Sequence, residues 1–434
     1  MAPSTRSRSG ARQPAPAAVI DLTSSSSHPP QPAPPKARKT TKQSPHAVPI
    51  YTIDLSLRPS ERYVDIARDF ASQIRCVTPL FDEIISTLRP RPPVRPVKAL
   101  ARLFLRRLHS AEETEELRGI SRTAGVDMYL LVAFNTFLDA LMGCTSGGVR
   151  VRSEGGDGEE ESRMLHFRTL DWGMDQLRSL VVLLQFVREK GGPVVARSVT
   201  YAGYVGCLTG VRQNLSLSLN FRPNHNPTPN VPLSTLRLSA HNLLVILGLR
   251  RSISSLLRTH LLSTTPPASL ASLSSTLPSL PTTAAYLIFS DGVSTLVLDK
   301  DHRTAVVREE RGFIVATNHD SATGTDGAGC ASSAHGMQEI ILESTDRMDC
   351  IAGKWRRAVA RAGKEVADGG GGVGEEEEEV SVAQKEVVRW VRMWPITNEC
   401  THYAAVMDPR RGEVVWVERY LKPVSQGRRR DRGD

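Results

Sequence analysis

From residue 143 onward the sequence is dominated by short apolar or alternating runs, and this limits the fold more than any other feature of the chain. "SLVVLLQFV", "VVARSVTYAGYVGCLTG", "NLSLSLNF", "AAYLIFSD", "STLVLD", "FIVATNHD", "THYAAVMD" and "EVVWVERY" are rich in β-branched, leucine and aromatic residues. Runs of this length and composition read as strands. Val149 and Val151 alternate with Arg150 and Arg152, a glycine- and glutamate-rich loop follows, and "MLHFRTLDWG" returns as a partner strand with a solvated acidic tip between. Many strands beside a few long helices predict two sheets with helical cover.

The earlier part reads differently. In "VPIYTIDLSLRP", Ile53, Leu55 and Leu57 alternate with Thr52, Asp54 and Ser56, so the folded part is predicted to begin near residue 48 with a half-buried strand. Residues 61–125 read as helical, with "YVDIARDFASQI" and "PVKALARLFLRRL" parted by "RPRPPVRP". Asp127 then caps "MYLLVAFNTFLDALM", where Leu131, Phe134, Leu138 and Leu141 recur at helical spacing and deliver the chain to Cys144. Two low-complexity stretches, 263–283 and 364–380 with "GGGGVGEEEEE", read as surface insertions because such composition has little to place in a core.

The net charge of +9 is uneven: seven bases against Asp21 alone put +6 of it in the first 49 residues. Residues 1–47 are rich in Pro, Ser and Ala and read as a disordered basic leader, and residues 422–434 as a basic tail. Basic residues interleaved with aromatics, the mark of a nucleic-acid surface, are lacking between them, which argues against a nucleic-acid partner. Six cysteines without CxxC pairs fit a reduced compartment. The leader has no apolar signal core and no run approaches a membrane span, so the chain reads as intracellular, cytoplasmic or nuclear. An Arg- and Ser-rich, acid-poor start also fits a transit peptide, although its prolines weaken the helix such a peptide needs. The leader's one apolar island, "VIDLT" (Val19–Thr23), precedes four serines and resembles a SUMO-interacting motif, a β-prone segment able to join a partner's sheet edge.

Taken alone, Cys144 in "LMGCTSGGVR" reads as a small buried hydrophobe. In company it reads otherwise. The segments "FNTFLDALMGCTS", "LHFRTLDWG", "TYAGYVGCLTGVRQNLSLSLN", "ATNHD" and "THYAAVMDPRRGEVVWVERY" together resemble acid ceramidase and N-acylethanolamine acid amidase, over roughly residues 48–421. The resemblance implies the α+β fold of N-terminal nucleophile hydrolases, an αββα sandwich of two antiparallel sheets, here with an N-terminal helical segment.

It also implies that the chain cuts itself between Gly143 and Cys144, leaving 48–143 as a small part and 144–421 as the hydrolase domain. The thiol attacks the Gly143 carbonyl, the acyl group moves from nitrogen to sulfur, and water releases it. The freed α-amine, with an ordinary pKa near ~7.7–8, then serves as base for its own thiol. By the same resemblance Arg168 and Asp171 flank the nucleophile, Asn318 stabilises the oxyanion, Arg347 lies near the thiol, and Tyr204 and Gly206 line the pocket. Phe221 stands where the family has a glutamate. In a regular strand Arg168 and Asp171 face opposite sides, which predicts a turn near Asp171.

The implied substrate is an N-acyl lipid, ceramide first, with an N-acylethanolamine or another acyl amide as the alternative. A catalytically silent lipid-binding or SUMO-partner protein is the rival reading. The amphipathic "LLVILGLRRSISSLLRTHLL" offers a membrane-surface contact or ordinary core packing. The histidines lack metal-ligand spacing, and neither a metal nor a cofactor is implied.

Overall fold

Each run read as a strand becomes one, and they sort into two sheets. The larger has eight strands in the order β1 (Ile50–Asp54), β4 (Val181–Val187), β5 (Val194–Tyr201), β6 (Thr209–Arg212), β7 (Leu215–Phe221), β8 (Ala285–Ser290), β9 (Thr295–Lys300) and β10 (Ala305–Glu310). The smaller runs β11 (Phe313–Ala316), β2 (Gly143–Val151), β3 (Arg163–Asp171), β12 (Thr401–Asp408) and β13 (Glu413–Arg419). The two sheets are antiparallel as expected, with one parallel pairing between β1 and β4. One addition is β10, "AVVREE", an edge strand whose Val306 and Val307 are exposed. With charges on a half-solvated edge it lacks the apolar signature of its neighbours.

This computed structural model describes residues 46–75, 78–79, 81–82, 93–137, 143–152, 162–223, 231–320, 335–368 and 380–425. The leader with Val19–Thr23, the acidic hairpin tip, the glycine–glutamate stretch and the end of the basic tail lie outside them. At the start of the described residues, His46 Nδ1 meets the Arg419 carbonyl at 3.1 Å.

Strand parity builds the layers. Along β3, His166, Arg168 and Leu170 face the larger sheet, and His166 sits between the hydroxyls of Ser216 and Ser218 on β7, at 2.9 and 2.8 Å. Leu165 and Phe167 face the other way, in a cluster with Val149, Val151, Ile351, Val387 and Trp390. Those last residues belong to two helices, α9 (His335–Asp368) and α10 (Gln384–Val391), which cover the smaller sheet. Helices α7 (Ile253–Leu262) and α8 (Leu270–Thr276) cover the larger one. The order helix, sheet, sheet, helix is the one expected.

Two neighbouring glycines let the smaller sheet approach its surroundings. A Cβ on Gly147 would land on the Ile314 carbonyl of β11, and one on Gly148 on the Thr295 side chain of β9. The stretch 263–283 is not purely a surface insertion, because its Leu270, Leu273 and Leu277 are buried in the main core. Their spacing of three and four residues puts them on one helix face, a signal that the surrounding Ser and Pro obscure.

Before β2 the chain forms α1 (Val64–Asp69), α2 (Ala71–Arg75), α3 (Val94–Phe104), α4 (Ala111–Ala124) and α5 (Met128–Phe137). The segment read as one helix is thus two, separated at Phe70. Ser110 caps α4 by accepting from the Glu113 N–H at 3.2 Å. These helices share the main core with the sheets through Leu117, Ile120 and Leu131. Buried Glu116 on α4 is gripped by Arg258 of α7 at 2.5 and 2.7 Å, and by Arg62 at 3.1 Å. Helix α6 (Val231–Ile246) ends before Gly248, whose φ of +66° takes the left-handed form glycine tolerates. The amphipathic stretch is therefore split: Leu243 and Leu249 are exposed, whereas Leu256, Leu257 and Leu261 are buried.

Candidate active site

Cys144 is the second residue of β2, wholly buried, paired with Leu170 of β3. Gly143 pairs with Asp171. The Cys144 N–H donates to Asn318 Oδ1 at 2.7 Å, and Arg347 Nη2 donates to the same oxygen at 2.8 Å. The other side of that amide is fixed as well, Nδ2 donating to the Phe221 carbonyl at 2.7 Å. Two accepted and one donated hydrogen bond define which end of the side chain is oxygen. The Asn318 N–H is held in turn by Ser344 Oγ at 2.7 Å. Ser344 and Arg347 lie one turn apart on α9, so a single helix face grips both ends of Asn318.

Asp171 closes the other side. Arg347 Nη1 stands 3.3 Å from its carboxylate, and Thr401 Oγ1 donates to it at 2.6 Å. β3 continues unbroken through Asp171. The irregularity expected there lies instead in the partner strand, where the β12 register slips between Thr401 and Tyr403. Arg168 and Asp171 do keep opposite faces and reach the same cysteine from two sides: Arg168 between the sheets, Asp171 at the strand end beside α9.

Arg168 is fully buried, its Nη1 donating to Ser146 Oγ at 3.0 Å and to Asn220 Oδ1. Among the described residues its Nε and Nη2 have no hydrogen-bond partner of good geometry, and the buried Tyr403 hydroxyl is near enough to act on the guanidinium. Asn220 is anchored through Nδ2 to the Ala316 carbonyl at 2.9 Å, and Ser146 donates to its Oδ1 at 2.8 Å.

The electrostatics follow from this packing. Burial pushes the Cys144 thiol above its ordinary pKa, against the pull of Arg168 and Arg347, so the thiol of the intact chain is protonated at neutral pH. Burial likewise raises Asp171, opposed chiefly by Arg347 and Thr401.

Five of the residues singled out in the sequence, Cys144, Arg168, Asp171, Asn318 and Arg347, meet at this point, with Gly143 beside them. A Cβ on Gly143 would lie 3.3 Å from Asp171 Cβ, which leaves little room for a larger residue. Phe221 joins through its main chain rather than its ring. Gly206 packs elsewhere: a Cβ there would meet Ser254 of α7 at 2.8–2.9 Å. Tyr204 is buried edge-on against Phe134 of α5, ring centres 5.9 Å apart. Its segment is tied to the same helix by Asn135, which accepts from Val205 N–H at 2.8 Å and donates to Gly203 O at 3.0 Å.

Sequence reasoning missed Ser146, Asn220, Ser344 and Thr401. Their signal is faint, a lone polar residue in a buried strand or helix. Among the described residues no group of three or more His, Cys, Asp or Glu side chains stands close enough to hold a metal ion.

The family described as the beta subunit of N-acylethanolamine-hydrolyzing acid amidase matches residues 46–109. Human acid ceramidase is 28% identical over 191 residues, 41% of this chain and 46% of its own length. The naked mole-rat (Heterocephalus glaber) acid ceramidase is 27% identical over 194 residues, 41% of this chain and 47% of its own.

The chain is thus similar to acid ceramidases and, over residues 46–109, to the N-acylethanolamine-hydrolyzing acid amidase beta subunit.

It spans about half the length of the acid ceramidases it matches. An uncharacterized protein of Acanthamoeba polyphaga mimivirus aligns over more of this chain, 24% identical over 275 residues, 62% of this chain and 78% of that one. The Caenorhabditis elegans N-acylethanolamine-hydrolyzing acid amidase ortholog superposes with a TM-score of 0.40 at 20% identity, over 62% of this chain and 93% of that one.

Proposed function

We propose that this chain is an amidohydrolase that cleaves N-acyl lipids, ceramide foremost, with Cys144 exposed as an N-terminal nucleophile. The observation that supports it best is the surround of the Gly143–Cys144 peptide. Asn318 accepts from the very nitrogen that would become the α-amine, while Arg168 and the Arg347–Asp171 pair flank the thiol.

In the first reaction the thiol adds to the Gly143 carbonyl carbon, the Gly143–Cys144 C–N bond breaks, and the proton goes to the departing nitrogen. Water then hydrolyses the thioester, leaving a carboxylate on Gly143 and an amine on Cys144. In turnover that amine takes the thiol proton, and the thiolate attacks the acyl carbon of the lipid. The ammonium returns the proton to the leaving amine, and a second water releases the fatty acid with the α-amine as base.

Asn318 orients the amine through Oδ1 and supplies an amide donor to the oxyanion, with the Arg168 guanidinium as a further donor. Asp171 and Arg347 keep the Cys144 terminus in place.

An N-acylethanolamine is the second substrate class, favoured by the family match over residues 46–109. Either lipid is drawn from a membrane, and α3 suits that contact: exposed Leu100, Leu103 and Phe104 share it with Arg95, Lys98 and Arg102. Among the described residues no helix is long and apolar enough to cross a membrane.

The test is fatty-acid release from ceramide and from N-acylethanolamines in detergent micelles, by wild type and Cys144→Ala. Release by wild type alone supports the proposal. Equal rates for both proteins would remove Cys144 from the chemistry.

A further inference from the structure

Beyond the residues around Cys144, a second, largely buried cluster joins the two segments that hold Asn318. Arg222 follows Phe221, whose carbonyl receives the Asn318 amide, and Asp320 lies two residues after Asn318. Arg222 donates to Asp320 through Nε and Nη2, each at 2.8 Å, a fork-on-fork pairing. Tyr286 of β8 donates to Asp320 Oδ1 at 2.7 Å, and the Arg222 guanidinium lies over the Tyr286 ring, 5.7 Å from its centre. Asp301 stands 3.3 Å from Arg222 Nη1.

The side chain of Arg222 is only 1% exposed, and a charge so buried persists only when paired. None of these groups touches Cys144 by any hydrogen bond or ion pair described above. What they share is the pair of backbone segments, the end of β7 and the turn after β11, from which Phe221 and Asn318 face each other.

We infer that Arg222 and Asp320 form a positioning clamp that sets the distance between those two segments and thereby the orientation of the Asn318 amide. This inference rests on the reading of Asn318 as part of an N-terminal nucleophile site. The clamp acts through Asn318 rather than on substrate, so its loss lowers the rates of chain cleavage and of turnover and leaves substrate binding alone. A displacement of about 1 Å in a reacting group is enough to cost on the order of 100-fold in rate.

The experiment uses the full-length chain with Arg222→Lys and, separately, the isosteric Asp320→Asn. Each is measured for kcat and KM on a fluorogenic N-palmitoyl aminocoumarin amide, and for the rate at which a new terminus appears at Cys144. Each variant is measured again on an Asn318→Ala background. The expected result is a kcat lowered at least tenfold with KM within about twofold, both effects vanishing once Asn318 is alanine.

Wild-type kcat in both variants would overturn the clamp, as would a rise confined to KM. So would a loss of kcat that persists in full on the Asn318→Ala background, or insolubility of both variants, which would show that the pair supports the fold as a whole. A wild-type chain that neither cuts itself nor hydrolyses the amide would instead overturn the N-terminal nucleophile reading, and the clamp with it.

Discussion

The main-chain nitrogen of Cys144 and the side-chain oxygen of Asn318 lie 2.7 Å apart across 174 residues of sequence. That oxygen also accepts from Arg347, so the asparagine is oriented before any bond is cut. Asn318→Ala is expected to slow both self-cleavage and lipid hydrolysis, with kcat down about 10²–10³-fold if the amide serves the oxyanion. Paired measurement of kcat and of the rate of new-terminus formation checks it. A change confined to KM would remove Asn318 from that role.

Phe221 contributes its carbonyl, which receives the Asn318 amide at 2.7 Å. Phe221→Ala keeps that carbonyl and is expected to change kcat less than about threefold, a small barrier effect. A steady-state kcat on the same amide decides between a main-chain role and a role for the ring.

His166 and His402 are buried, and burial, helped by Arg168 and Arg178 respectively, holds both at about 3 against an ordinary 6.5. The unfolded chain therefore binds more protons than the folded one between about pH 6.5 and about 3. Stability is full above that window and is lost as the pH falls through it, by about 2–3 kcal/mol per histidine near pH 4.5. Thermal unfolding at about pH 7 and about pH 4.5 should show the drop. His166→Gln, which keeps a polar side chain between Ser216 and Ser218, should shrink it.

Cleavage after Gly143 would leave β1 paired with β4, Glu116 gripped by Arg258, and Leu117, Ile120 and Leu131 in a core shared with the sheets. The two fragments are expected to co-elute in native size-exclusion chromatography and to separate in denaturant without reductant. Separation under native conditions would show that this shared core does not hold them.

Much of this fold was legible because its strands are written as apolar runs, as in β4, β8 and β12, or as regular alternation, as in the Leu-Ser-Leu-Ser-Leu of β7. β10 was not, since an edge strand with Arg308, Glu309 and Glu310 has no buried face to declare. The α8 leucines were hidden by a Ser- and Pro-rich setting whose composition suggests a loop. At the site, Cys144, Arg168, Asp171 and Asn318 were found by resemblance, and parity correctly set Arg168 and Asp171 on opposite faces. Parity could not show that the slip falls on the partner strand at Thr401–Tyr403, because register depends on a segment 230 residues away. Ser146 and Asn220 were missed for a related reason: a polar residue facing another sheet acquires meaning only when that sheet is in place.

The most direct measurement is N-terminal sequencing with intact mass of the purified wild-type chain and of Cys144→Ala, after incubation across acid to neutral pH. A new terminus beginning Cys-Thr-Ser in wild type, absent from Cys144→Ala, is the expected result. A wild-type chain that stays uncut at every pH would leave Cys144 without its α-amine base and contradict the N-terminal nucleophile.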